Sequence, residues 1–225
     1  MDNFEQFKNF VWRDVPLAMH SWFQIGGQVD FFAEPRDRDE LCALLAYCRE
    51  LGVPIRVIGF GSNLLISDSG VRGVVIRLSS AAFTSIRIDG DNVIAGGGVK
   101  LGKVITSSVH GGLAGLEGLI GIPGTVGGAI RRNTSTNNSS ISEYVESLTV
   151  ARFDGQIVTL SQNDFTFGYQ TSSLEDVVIL EVVFRLTPED QPELSKRMQK
   201  IWIVRKTVQP TSQYCTGRLF ANPRG

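Results

Sequence analysis

Three glycine-bearing stretches of this sequence carry residue types that can hold an anion. Gly59-Phe-Gly61-Ser62-Asn63-Leu64 follows an apolar run. Its glycines allow successive backbone N–H groups to converge, and Ser62 and Asn63 add neutral donors. Gly121-Ile122-Pro123-Gly124-Thr125-Val-Gly127-Gly128 lies in a segment, 111–130, that is both glycine-rich and apolar. A flexible linker would be polar, so this composition predicts a buried stretch where backbone approaches something closely, and it is poor material for a helix interior. Taken together, the two loops read as a clamp on the two ends of one extended ligand, such as a dinucleotide. The third stretch, Gly97-x4-Gly102-Lys103, has phosphate-loop spacing, but Val104 stands where Ser or Thr would hold Mg²⁺. The acid of its Walker-B-like run, Glu181, falls inside a strand pattern. It reads as a glycine turn before an amphipathic helix.

The other reactive side chains point to little. His20 and His110 are isolated, so no metal site is expected. Cys42, Cys48 and Cys215 form no CxxC pair and are odd in number, as in a reducing compartment. Arg131-Arg132 is either solvated or phosphate-facing. The formal charge is −1 (22 basic against 23 acidic residues), which disfavours a general nucleic-acid or membrane-surface binder. The start of the chain lacks the apolar region of a secretory signal, and no apolar run spans a bilayer; the expected location is the cytoplasm. Oligomeric state has no signature here.

Elements must position these loops. At 225 residues the chain can bury roughly 70 % of its unfolded surface, enough for one large domain or two lobes. Leu41, Leu44, Leu45 and Cys48 predict a helix over 36–52, ended by Gly52, with strands at 53–58 and 73–78. Hairpins are expected about Asp89-Gly90-Asp91 and Asp154-Gly155, a helix over 100–110 and a strong strand over 176–186. A final helix near 190–206 would turn Leu194, Met198, Ile201 and Trp202 inward. The fold class is α+β, in lobes 1–80, 81–188 and 189–225.

Several motifs in order carry a family resemblance: Ile25-Gly26-Gly27, Gly59-x-Gly61-Ser62-Asn63-Leu64-Leu65, Gly115-Leu116-Glu117, GIPGTVGG at 121–128, Phe167-Gly168-Tyr169-x-x-Ser172 and Gly217-x-x-Phe220-x-Asn222-Pro223. From about residue 20 onward the chain resembles the UDP-N-acetylenolpyruvoylglucosamine reductases (UDP-N-acetylmuramate dehydrogenases) of bacterial cell-wall synthesis. The resemblance implies a two-lobed FAD-binding fold of the vanillyl-alcohol-oxidase type and a third, substrate-binding lobe, largely missing here. It implies FAD held by Gly59, Gly61, Ser62, Asn63, Leu64, the loop from Gly121 to Gly128 and Asn133. It also implies NADPH as reductant, a nucleotide-sugar substrate, and substrate contacts at Tyr169, Ser172 and Asn222.

The departures fall on the chemistry. Where the family has FGYRxS, with an arginine to polarise the substrate carboxyl, this chain has Gln170. At the family's proton-donor position stands Arg218, a guanidinium that stays protonated near neutral pH. The motif's lysine is Ala221, and the chain stops at Gly225, before the third lobe's catalytic glutamate. No family catalytic position is therefore intact. Serines stand for glycines over 133–140, which would clash with a flavin or force positive φ on side-chain-bearing residues. Three readings follow: an FAD-binding but impaired or inactive family member, an active reductase whose substrate lobe lies outside this chain, and a cofactor-free interaction protein on the same scaffold.

Overall fold

The computed structural model describes residues 4–136 and 139–208. Its first sheet contains β1 (Val11–Pro16) and β2 (Gln28–Ala33), then helix α1 (Arg38–Glu50), β3 (Ile55–Ile58) and β4 (Val71–Arg77). The order is β1-β2-β4-β3, with β1 antiparallel to β2 and the other three parallel. Asp37 caps α1 by accepting from the Glu40 N–H at 2.9 Å. Gly52, at φ +64°, ends it. Strands β1 and β2 leave no clear signal in the sequence. Val11-Trp-Arg-Asp-Val is too short an alternation to stand out, and Asp14 interrupts it at φ +52°.

The second part contains β5 (Ile86–Asp89), β6 (Asn92–Gly96), α2 (Leu101–His110), β7 (Leu113–Ala114), α3 (Val126–Arg131), β8 (Val145–Arg152) and β9 (Ile157–Ser161). A hairpin of β10 (Phe167–Gly168) and β11 (Thr171–Ser172), then β12 (Val177–Arg185), β13 (Thr187–Pro188) and α4 (Gln191–Val208) complete it. The second sheet is antiparallel throughout, ordered β5-β6-β12-β8-β9.

Helix α1 lies between the sheets. Leu41, Leu44, Leu45 and Cys48 share one core with Val74 and Ile76 of the first sheet and with Ala151, Val178 and Leu180 of the second. The opposite face of the second sheet packs α2 and α3 against Val182 and Phe184. A bulge in β12 changes which residues face each layer. Pairing with β8 skips from Ile179 to Glu181, so Leu180 and Glu181 both turn toward α1 while Ile179, Val182 and Phe184 share the other face. Glu181 there meets Arg38 at 3.6 Å, which accounts for the acid inside a strand pattern. Burial on two faces explains why β12 reads as a nearly unbroken apolar run.

Candidate functional site

The first glycine loop leaves β3 at Ile58 and turns under the segment 17–27. Gly61 has φ +62°, and a Cβ there would lie 2.1 Å from the His20 carbonyl oxygen. The Trp22 N–H donates to the Gly61 carbonyl at 3.2 Å. Glycine is thus demanded at 61 by the protein's own backbone, not by space reserved for a ligand. Among the described residues, no carbonyl accepts from the N–H groups of Phe60, Gly61, Ser62 or Asn63. These four consecutive donors have no partner among the described residues.

The second loop is stitched to the strand-to-helix turn 97–101. The Leu101 N–H donates to Gly124 O at 3.0 Å, Val126 N–H to Val99 O at 2.9 Å, and Gly127 N–H to Gly97 O at 2.8 Å. Thr125 then caps α3 by accepting from Gly128 N–H at 3.2 Å. A short helix therefore does form with Gly127 and Gly128 inside it, against expectation. The cap offsets part of the glycine cost, and a Cβ on Gly127 would come within 3.1 Å of Gly97 O.

The two loops touch, which corrects the expectation that they grip opposite ends of a ligand. A Cβ on Gly59 would stand 2.5 Å from Thr125 Oγ1, and one on Gly124 would stand 3.3 Å from Ser62 Oγ. They form one continuous cradle. Ile122 packs into the second core, whereas Pro123, Asn63 and Leu64 are exposed. The phosphate-loop lookalike lies beside this cradle with its leading donors engaged: Gly97 and Gly98 donate to the Leu180 and Phe83 carbonyls at 2.8 and 3.0 Å, as Gly96 just before them does to Ser85 at 2.9 Å.

Asn133 carries the only positive φ (+42°) among the described residues of 133–140, a conformation asparagine tolerates. The serines cause no such strain. Ser135 and Ser140 pair as a bridge, Ser140 Oγ donates to Asn133 Oδ1 at 2.8 Å, and Ser139 packs on Gly118, its Oγ buried without a partner. Asn133 Nδ2 also donates to Gly168 O at 2.9 Å, and Ser172 Oγ to Arg131 O at 3.0 Å. These two bonds tie the β10–β11 hairpin to the end of α3. Ser172 is buried, with its hydroxyl engaged in that tie, while Tyr169 at the hairpin tip is 60 % exposed. Gln170 sits beside it at φ +53°. Arg131 donates to the Leu174 carbonyl. Cys215, Arg218, Ala221 and Asn222 lie outside the described residues.

Charged groups around the cradle are the least legible in the sequence. Arg77 donates to His20 Nδ1 at 2.9 Å and pairs with Glu34 at 2.7 Å, while His20 stacks on Phe32. Burial, then the Arg77 charge, lowers the His20 pKa. On the far side, buried Glu117 accepts from Gly115 N–H at 2.6 Å and pairs with Arg197 of α4 at 2.7 Å. Arg205 donates to Ile120 O at 2.5 Å and to Gly118 O at 3.3 Å; burial lowers its pKa. Leu194 is buried and Met198 and Ile201 pack inward as expected. Trp202 is instead 42 % exposed beneath Lys206. The Arg205 contacts span 85 and 87 residues of chain, and no local pattern signals them. Cys48, its thiol pushed up to about 12 by burial, is a core residue. No His/Cys/Asp/Glu group among the described residues suits a metal.

Two α+β lobes thus meet at a glycine cradle with free backbone donors. Residues 29–161 match the FAD binding domain family. The chain belongs to the UDP-N-acetylenolpyruvoylglucosamine reductase family. It is 37 % identical over 219 residues to the reductase of Rhodopirellula baltica, covering 97 % of this chain and 72 % of that one. It is 37 % identical over 221 residues to that of Geobacter metallireducens, covering 98 % and 73 %. The crystal structure of the Thermus caldophilus reductase superimposes with a TM-score of 0.82 at 31 % identity, over 95 % of this chain and 76 % of that one. A solvent-stable cholesterol oxidase shares the fold alone, with a TM-score of 0.57 at 20 % identity over 75 % of this chain and 36 % of the oxidase. The architecture is thus the two-lobed, vanillyl-alcohol-oxidase-type FAD fold.

Proposed function

We propose that the chain is a cytoplasmic FAD-binding member of this reductase family, impaired in the reduction of its nucleotide-sugar substrate. The observation that carries the cofactor assignment is the junction of the two glycine loops, with the N–H groups of Phe60 to Asn63 unpartnered at its edge. Consecutive free donors of this kind suit a pyrophosphate, with Ser62 and Asn63 as neutral neighbours and the 121–128 loop as the opposing wall. Asn133, bonded to the hairpin and to Ser140, would hold that wall in register. When bound, FAD supplies hydride transfer from NADPH to the enolpyruvyl ether of UDP-N-acetylglucosamine, a step of peptidoglycan synthesis.

The impairment rests on Gln170. Its amide can orient a carboxyl group by hydrogen bonding but brings no charge to stabilise an enolate. Loss of a charged stabiliser of this kind costs about 10²–10³ in rate. Arg218, at the family's proton-donor position, carries a guanidinium, which stays protonated near neutral pH and cannot serve as the donor.

Absorbance of the purified protein tests both parts. A flavin band, bleached by NADPH, is expected, with slow reoxidation by oxygen that the enolpyruvyl sugar scarcely accelerates. Absence of flavin after reconstitution with FAD overturns the cofactor assignment. Strong stimulation by the sugar overturns the impairment.

A further inference from the structure

Backbone N–H groups alone do not neutralise a pyrophosphate; they solvate it. The cradle places one cation where its two halves meet. Lys100 immediately precedes α2, and its backbone forms a bridge with Thr125 of the second loop. Flanking bonds from Leu101 N–H to Gly124 O and from Val126 N–H to Val99 O fix that register. Its side chain reaches the other way. The ammonium lies 5.4 Å from the ring centroid of Phe60, in the middle of the first loop. Among the described residues no carboxylate pairs with it. A cation–π contact with an exposed ring is weak, and a four-carbon stem is free to swing. Lys100 is therefore bridged by its backbone to one loop and rests by its side chain on the Phe60 ring of the other, the loop whose 60–63 N–H groups have no partner among the described residues.

We propose that Lys100 is the counter-charge for the pyrophosphate of the bound flavin dinucleotide, a role that rests on the FAD-binding reading above. The unpaired ammonium leaves Phe60 and makes a charge-assisted contact with phosphate oxygens already held by the loop's N–H groups. Because the side chain is exposed, the attraction is screened by salt.

The test is FAD affinity of the full chain, measured by flavin fluorescence at low and at high potassium chloride, for wild type, Lys100→Met and Lys100→Arg. Lys100→Met keeps the aliphatic stem and removes the charge. It should weaken FAD about tenfold at low salt, equivalent to about 1.4 kcal/mol, with the loss shrinking at high salt. Lys100→Arg should restore most of the affinity. Equal affinity of wild type and Lys100→Met at both salts sinks the proposal while leaving the cofactor assignment standing. So does a loss in Lys100→Met that is independent of salt and shared by Lys100→Arg, since that marks a packing role. A wild-type protein that binds no FAD overturns the assignment and the Lys100 role together.

Discussion

Two glycine stretches in this molecule look alike in sequence and do opposite things. Gly59–Gly61 and Gly96–Gly98 each lie at the end of a strand, and each permits close contacts that a Cβ would forbid. At Gly96, Gly97 and Gly98 a Cβ would lie 2.0–2.1 Å from carbonyl oxygens of Phe83, Ile179 and Leu78. All three N–H groups there donate to protein carbonyls. In the 60–63 loop the close approach is similar, 2.1 Å at Gly61, yet the donors stay free. Glycine content therefore marks tight packing in both places, and only the fate of the N–H groups separates an anion cradle from a packed corner.

The largest effect is expected at the packed corner. Gly97→Ala drives a methyl into the Ile179 carbonyl in the middle of the second sheet, where neither backbone can retreat. Overpacking of this kind costs about 1–3 kcal/mol and more where nothing yields. The expected result is loss of soluble, cooperatively folding protein, read by thermal denaturation. A near-wild-type midpoint would mean the corner is looser than the geometry shows. Gly61→Ala should cost less globally, because its collision is with the 17–27 loop on the surface of the first lobe. It combines the His20 contact with positive φ, at about 1–2 kcal/mol for the conformation alone. Flavin affinity should fall with it. Stability unchanged in Gly61→Ala would break the comparison.

A double-mutant cycle sharpens it further. Thr125→Ala removes a helix cap, for about 1 kcal/mol, and also the hydroxyl that a Cβ at 59 would strike. Gly59→Ala should therefore destabilise more in wild type than in the Thr125→Ala background, with a coupling of about 0.5–3 kcal/mol. Additive effects would show that the loops do not touch.

Much of the fold is legible in local residue patterns. Helix α1, the two Asp-Gly hairpins, α2 and β12 rest on periodicity and turn chemistry, and their bounds shift by only a few residues. The loops whose composition suits an anion are the ones that meet. What local patterns do not carry is long-range. Strands β1 and β2 carry weak alternation, broken in β1 at Asp14. The short helix at 126–131 depends on a threonine cap and a neighbouring glycine corner 30 residues earlier in the chain, at 97. Among the described residues of 133–140 the expected strain does not fall on the serines, and Asn133 takes a left-handed position. The ion pairs around Glu117 and the Arg205 contacts join elements that are far apart in sequence.

The smallest expected effect concerns the support beneath the cradle. The 17–27 loop holds Gly61 in place, and His20 ties that loop to the first sheet, accepting from Arg77 and stacked on Phe32. Burial disfavours the charged imidazolium, and protonation would also cost the hydrogen bond accepted at Nδ1 and set a second cation against the guanidinium, so folding favours the neutral ring and its pKa falls. The unfolded chain then binds a proton that the folded chain refuses. The contribution of His20 is fully present above about pH 6.5 and is lost as the pH falls through that value toward the lower folded one. Glu34, whose pKa is also lowered, against the opposing effect of burial, by Arg77 and Ser79, loses its contribution only at more acidic pH, so the two are separable. Because His20 is partly solvated the effect is modest: a fall in the unfolding midpoint of a few degrees from about pH 8 to about pH 5.5. His20→Asn offers Arg77 an oxygen acceptor that does not titrate in this range. It should flatten the slope between those pH values while leaving the more acidic limb unchanged. A slope identical in wild type and His20→Asn would assign the acid sensitivity elsewhere, and would free the first loop's support from any dependence on this ring.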